Sequence, residues 1–168
     1  MITFGLTLPM TRIALESFDP LFITFGRSAL AGLIAAAILL LTKSKFPSKP
    51  QRWNILIVAC GVVLGFPILT ALAMQTVPSS HGGVVLGILP LMTACAATFI
   101  SQERPSVWFW LVGVLGAAVV ILYALNQGAG HLSSGDGLLF GAVIAAALGY
   151  AVGGQLAKDM SGWRVICW

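Results

Sequence analysis

Long uncharged stretches alternating with short polar connectors constrain this chain more than any single motif does. A helix rising 1.5 Å per residue needs about 20 mostly apolar residues to cross a hydrocarbon layer roughly 30 Å thick. Inside that layer each backbone amide must be satisfied within its own element or barrel, which limits spanning structures to helices and closed barrels. Full-length apolar windows occur at residues 22–41, 55–74, 82–100, 107–125 and 138–157. Of the 168 residues 58% are hydrophobic and only 8% charged, with a mean hydropathy of +0.98; soluble domains carry roughly 25% charged residues. The expected fold class is all-α, a polytopic bundle of transmembrane helices.

The two ends of the chain refine that expectation. Residues 2–15 are apolar but extend only about 21 Å as a helix, so they read as a first helix lacking its beginning. Residues 165–168 open another apolar run. About six helices are expected, the first truncated, in a piece of a longer protein. A signal peptide fits poorly, because nothing basic precedes Arg12 and Pro9 interrupts the stretch.

Charge placement orients the bundle. Lys43, Lys45, Lys49 and Arg52 occupy one connector, Arg104 a second and Lys158 with Arg164 a third. The connectors between them, ESFDP, VPSSHG and NQGAGHLSSGDG, contain no lysine or arginine. Positive charge resists translocation, so the basic connectors are expected in the cytoplasm, with Glu16, Asp19 and Asp136 outside and the protein in the inner membrane. The run from Lys43 to Arg52 is a topology determinant that touches anionic membrane lipids; nucleic acid is not an expected partner.

Enzymatic chemistry finds no support. Cys60, Cys95 and Cys167 are isolated in apolar segments, and His81 and His131 have no partners at metal-ligand spacing. No catalytic or phosphate-cradling motif occurs. Neither a metal nor a cofactor is expected. Glycine pairs such as Gly61 with Gly65 and Gly149 with Gly153 place two small residues on one helix face, where backbones can approach closely. Pro67 and Pro90 are candidate helix hinges, since each removes a backbone donor.

Polar groups inside apolar windows are costly and mark solute paths. The candidate cavity residues are Thr7, Thr11, Arg12, Arg27, Gln75, Tyr150 and Gln155. Arg12 and Glu16, spaced one turn apart, are expected to pair with each other. Arg27 either snorkels to the interface or faces inward toward an anionic solute group.

The order of these features resembles the EamA-type transporters of the drug/metabolite transporter superfamily. The residues that carry the likeness are Asp19-Pro20, Arg27 and Ala31-Gly32 in the first helix pair, then Pro90-Leu91, Glu103-Arg104, Gly113 and Gly116. The resemblance implies a ten-helix carrier built from two five-helix repeats of opposite orientation, with a solute cavity between them. Residues 1–125 would form the first repeat and 126–168 the linker and the opening of the second. Such a carrier exports or exchanges small organic metabolites or drugs by alternating access. This chain would be inactive alone, its partner being the missing second repeat or a homo-oligomer. Proton coupling has no support, because no membrane-embedded carboxylate stands out. The alternative is a non-transporting membrane subunit that packs through its glycine-rich faces.

Overall fold

The computed structural model describes residues 6–102, 105–126 and 134–168. Glu103, Arg104 and His131 lie outside the described residues. Among those described, the regular structure is helical: α1 (Thr7–Ala14), α2 (Pro20–Leu41), α3 (Lys49–Ala73), α4 (Ser79–Leu86), α5 (Leu89–Ile100), α6 (Val107–Asn126), α7 (Ser134–Asp159) and α8 (Gly162–Cys167). The segments Pro20–Leu41, Lys49–Ala73, His81–Ile100 and Ser134–Asp159 are each long and apolar enough to cross a membrane.

Capping chemistry, rather than hydropathy, sets where these helices begin. Asp19 has extended backbone, and its carboxylate accepts the Leu21 N–H at 2.8 Å while Pro20 occupies the first turn, so α2 starts ahead of the apolar window. α3 starts at Lys49 instead of residue 55, because Gln51 Oε1 accepts the Ser48 N–H at 2.9 Å and Pro50 is preset for a first turn. Lys49 and Arg52 therefore lie on a helix and not in a connector. α2 closes with paired bonds, from Lys43 N–H to Leu40 O (3.2 Å) and from Ser44 N–H to Leu39 O (3.1 Å). Lys43 takes φ 48°, a left-handed conformation that reverses the chain toward α3.

Both candidate hinge prolines mark real departures from α geometry. Ala59–Gly65 of α3 forms a π-helix that ends just before Phe66 and Pro67. Pro67 cannot donate to Val63, and the wider turns accommodate the lost bond. The single helix expected over 82–100 is instead two. Three-residue bonds from Gly87 to Val84 (3.0 Å) and Ile88 to Val85 (3.2 Å) separate α4 from α5, and Pro90 sits in the first turn of α5. Without an N–H at Pro90, the Leu86 carbonyl loses its regular partner and the ladder breaks there.

The core lies around α7, which packs against α3, α4 and α5. Leu139, Ala142, Val143, Ala146, Ala147 and Leu156 are buried on it, with Phe66 of α3 and Leu89 of α5 against them. Lipid tails are as apolar as leucine, so this burial gains little from excluding water; close van der Waals contact and hydrogen bonds must hold the helices together. Backbone proximity supplies the first. A β-carbon on Gly61 would lie 2.5 Å from the Ala145 carbonyl oxygen, and one on Gly149 would lie 2.6 Å from Val62 Cγ2. α2, by contrast, buries only Pro20 and Thr24.

Long-range polar contacts tie the helix ends that lie opposite the basic connectors. Arg12 does not pair with Glu16. Its Nη1 donates to Val77 O at 2.7 Å and Met74 O at 3.3 Å, at the C-terminal end of α3. Those carbonyls have no partner within the helix and lie at the negative end of its dipole, which makes them a better site for a cation than an exposed carboxylate. His81 at the start of α4 meets Asp136 in the first turn of α7 at 2.6 Å, a partner invisible at metal-ligand spacing.

Three substitutions test this packing in the purified protein by thermal unfolding in detergent. Gly61→Ala should cost about 1–3 kcal/mol through overpacking, whereas Gly32→Ala, with nothing within 4 Å of the new carbon, should leave the midpoint unchanged or slightly raised. Arg12→Ala should cost about 1–3 kcal/mol by stripping buried carbonyls of their donor. A midpoint as high as wild type for both Gly61→Ala and Arg12→Ala would contradict the packing described.

Candidate functional site

Four helices contribute one-turn pairs to a shared cavity of about 280 Å³. α1 supplies Thr7 and Thr11, α2 supplies Thr24 and Arg27, α3 supplies Phe66 and Thr70, and α4 with its C-cap supplies Gly83 and Gly87. Residues three or four apart share a helix face, so each helix presents a single stripe. The π-helix matters here because its wide turns change the facing of α3. Gly61 meets α7, and Phe66, Pro67 and Thr70 reach the cavity although the same stretch still packs on α7. On α4 Gly83 leaves space; a β-carbon there would find only Leu8 Cδ1, at 3.8 Å.

The walls are apolar, from Leu8, Ile23, Phe66, Pro67 and Leu86, with polar groups at chosen points. Thr24 Oγ1 donates to Pro20 O at 2.9 Å and Thr70 Oγ1 donates to Phe66 O at 2.7 Å. Both hydroxyl protons are thus committed to their own helices, and the oxygens remain acceptors. Thr11 and Thr24 are buried. Arg27 is the charged side chain on the lining. Its guanidinium offers five N–H donors in a planar fork suited to carboxylate or phosphate.

A cation, hydroxyl acceptors and apolar walls can bind a solute but cannot transfer a group to it. Among the described residues the lining contains no Asp, Glu, His or Cys, hence no general base or nucleophile. Among the described residues, no cluster of His, Cys, Asp or Glu could hold a metal ion.

The structure brings Thr7, Thr11, Arg27 and Pro67 together on this cavity. The remaining sequence candidates fall elsewhere. Arg12 is engaged with the α3 carbonyls, Gln75 is exposed in the turn after α3, and Tyr150 and Gln155 lie on an exposed part of α7. Pro90 is exposed at the α4–α5 break and does not line the cavity. Sequence reasoning missed Thr24 and Thr70. The available signal was their spacing, one turn from Arg27 and from Pro67 respectively, but a lone threonine in an apolar helix is usually satisfied by its own backbone, as both of these are.

Comparison with known proteins agrees with this architecture. Residues 1–125 match the model of the EamA-like transporter family. The chain is 42% identical over its entire 168 residues to the uncharacterized transporter YdeK of Bacillus subtilis (strain 168), covering 58% of that protein. It is 35% identical over 135 residues to the uncharacterized inner membrane transporter YedA of Escherichia coli (strain K12), covering 79% of this chain and 42% of the relative. An S-adenosylmethionine/S-adenosylhomocysteine transporter of Chlamydia muridarum is 26% identical over 128 residues, 74% of this chain and 39% of the relative. The chain therefore spans about half the length of these relatives. No solved structure matches it. Apolar helices threaded for a bilayer, a solute-sized cavity without catalytic groups and the match over residues 1–125 have one common account: the chain belongs to the EamA-like transporter family, whose members are membrane transporters and not enzymes.

Proposed function

We propose that the protein to which this chain belongs is a secondary transporter that exports or exchanges small organic metabolites or drugs by alternating access. Residues 1–125 act as the first repeat, and α7 opens the second. The cavity is the first repeat's share of the solute path. Its volume of about 280 Å³ lies just under the 300–1,000 Å³ range of complete small-molecule sites, as suits a partial enclosure. The relatives' greater length supports this reading, and by itself the chain is not expected to transport. Gly61 and Gly149 are already occupied in the α3–α7 contact, so the alternative, a subunit docking through glycine faces, would have to use other glycines such as Gly26, Gly32 and Gly116.

The observation that carries the proposal is Arg27 on the cavity lining among Thr7, Thr11, Thr24 and Thr70. It favours solutes with an anionic group and an apolar body. A hydrogen bond to a charged group contributes about 1.5–3 kcal/mol, which corresponds to roughly ten- to hundredfold in affinity. Overproduction of the full-length protein should raise the extracellular level of one or more carboxylate- or phosphate-bearing metabolites, measured by mass spectrometry. Arg27→Ala should lower that export about tenfold or more, with Arg27→Lys retaining part of it. Undiminished export by the alanine variant, at equal membrane abundance, would remove Arg27 from the solute path.

The proposed orientation places the basic connectors in the cytoplasm and the cavity in the outer half of the bundle. In intact cells expressing a cysteine-free background, Ser17→Cys should react with a membrane-impermeant maleimide and Lys45→Cys should not. The reverse pattern would invert the topology.

A further inference from the structure

The basic end of the bundle holds a side-chain cluster that the cavity does not use. The left-handed turn at Lys43 sends the segment from Ser44 to Ser48 back under α2, against α8. There Arg164 Nη2 donates to Lys45 O at 2.7 Å, bridging positions 119 residues apart. Arg52 Nε donates to Pro47 O at 3.0 Å, and its guanidinium lies 4.5 Å from the centre of the Phe46 ring. Phe46 in turn meets Trp168 edge-on, with centroids 4.9 Å apart. One guanidinium and an indole thereby meet the Phe46 ring, and a second guanidinium binds the carbonyl of the neighbouring Lys45.

Donors outnumber acceptors in this cluster. Each guanidinium has five N–H groups, and neither is paired with an acidic side chain among the described residues. Arg164 Nε and Trp168 Nε1 are both buried without a hydrogen-bond partner, a situation folded proteins rarely leave uncorrected. Positive charge together with orphan N–H donors selects a ligand with several anionic oxygens, and a phosphate has them. The same elements also expose a greasy flank, with Leu40 78%, Leu41 84% and Ile166 85% accessible. A phosphate free in solution has no use for that flank; a phospholipid lays its acyl chains on it.

We propose that Arg52, Arg164 and Trp168 form a binding site for the phosphate of an anionic membrane lipid, with the acyl chains along Leu40, Leu41 and Ile166. This is more specific than the general attraction between basic connectors and a negative leaflet, because it assigns the contact to two arginines and one indole and not to the surrounding lysines. The phosphate accepts first from the accessible Nη groups. Parting the weak Phe46–Trp168 edge contact then gives Arg164 Nε and the indole N–H their acceptor.

Native mass spectrometry of the purified full-length protein tests the site, with phosphatidylglycerol and phosphatidylcholine of identical acyl chains as probes. Wild type should retain phosphatidylglycerol about tenfold more strongly. The Arg52→Gln, Arg164→Gln double variant should lose that preference, while Lys43→Gln and Lys49→Gln keep it. Trp168→Phe, which keeps an aromatic side chain while removing the N–H donor, should weaken phosphatidylglycerol about threefold and guards against misfolding of the arginine variants. Equal retention of both lipids would overturn the proposal, and so would loss of the preference in the lysine variants, which would leave only diffuse charge. Competition by inorganic phosphate as strong as that by phosphatidylglycerol would reassign the site to a soluble ligand and refute the lipid.

Discussion

The close approach of α3 and α7 at Gly61 and Gly149 is the contact on which the rest of this bundle depends. In lipid there is no water to drive helices together, so association rests on how near two backbones can come and on the polar groups they share. Small residues make that approach sterically available, and α7 uses them densely, with Ala142, Ala146, Ala147, Gly149 and Ala151 all buried. α3 reaches this surface through a π-helix, whose altered facing has a second effect. α3 contacts α7 along its π-helix and beyond it, and from Phe66 onward it also borders the cavity.

Polar satisfaction shapes the same end of the molecule. Arg12 supplies donors to carbonyls at the α3 terminus, His81 meets Asp136 across the gap from α4 to α7, and Thr24 and Thr70 bond back to their own helices. Each arrangement satisfies groups that would otherwise be expensive in an apolar setting. Once they are accounted for, Arg27 is the charge left facing the cavity, and this gives it a different standing from Arg12 although both are arginines in apolar helices. The difference lies in what each can reach: Arg12 is within 3 Å of a carbonyl at Val77, whereas Arg27 borders open space.

Much of the fold was legible from hydropathy because a bilayer imposes a length on every crossing. The windows at 22–41 and 107–125 agree closely with α2 and α6. The windows at 55–74 and 138–157 were too short, because Ser48–Gln51 capping and the first turn of α7 extend those helices into polar sequence. The window at 82–100 concealed a break, since hydropathy does not register a missing backbone donor. Of the cavity, Thr7, Thr11 and Arg27 were visible as polar residues in apolar surroundings. Thr24 and Thr70 were not distinguishable from ordinary helix threonines, and Gln75, Tyr150 and Gln155 had the right chemistry on faces that point elsewhere.

The sequence by itself determined that this chain is a stack of membrane-length helices, because apolar length and charge spacing are one-dimensional properties that the bilayer reads directly. Helix facing was decided only in three dimensions. Whether Arg12 finds Glu16 or the end of α3, whether His81 stands alone or beside Asp136, and which threonines share a cavity all depend on the rotation and approach of helices distant in sequence. Those quantities follow from the glycine contacts and the π-helix of α3, whose consequences appear only when the partner surface is in place.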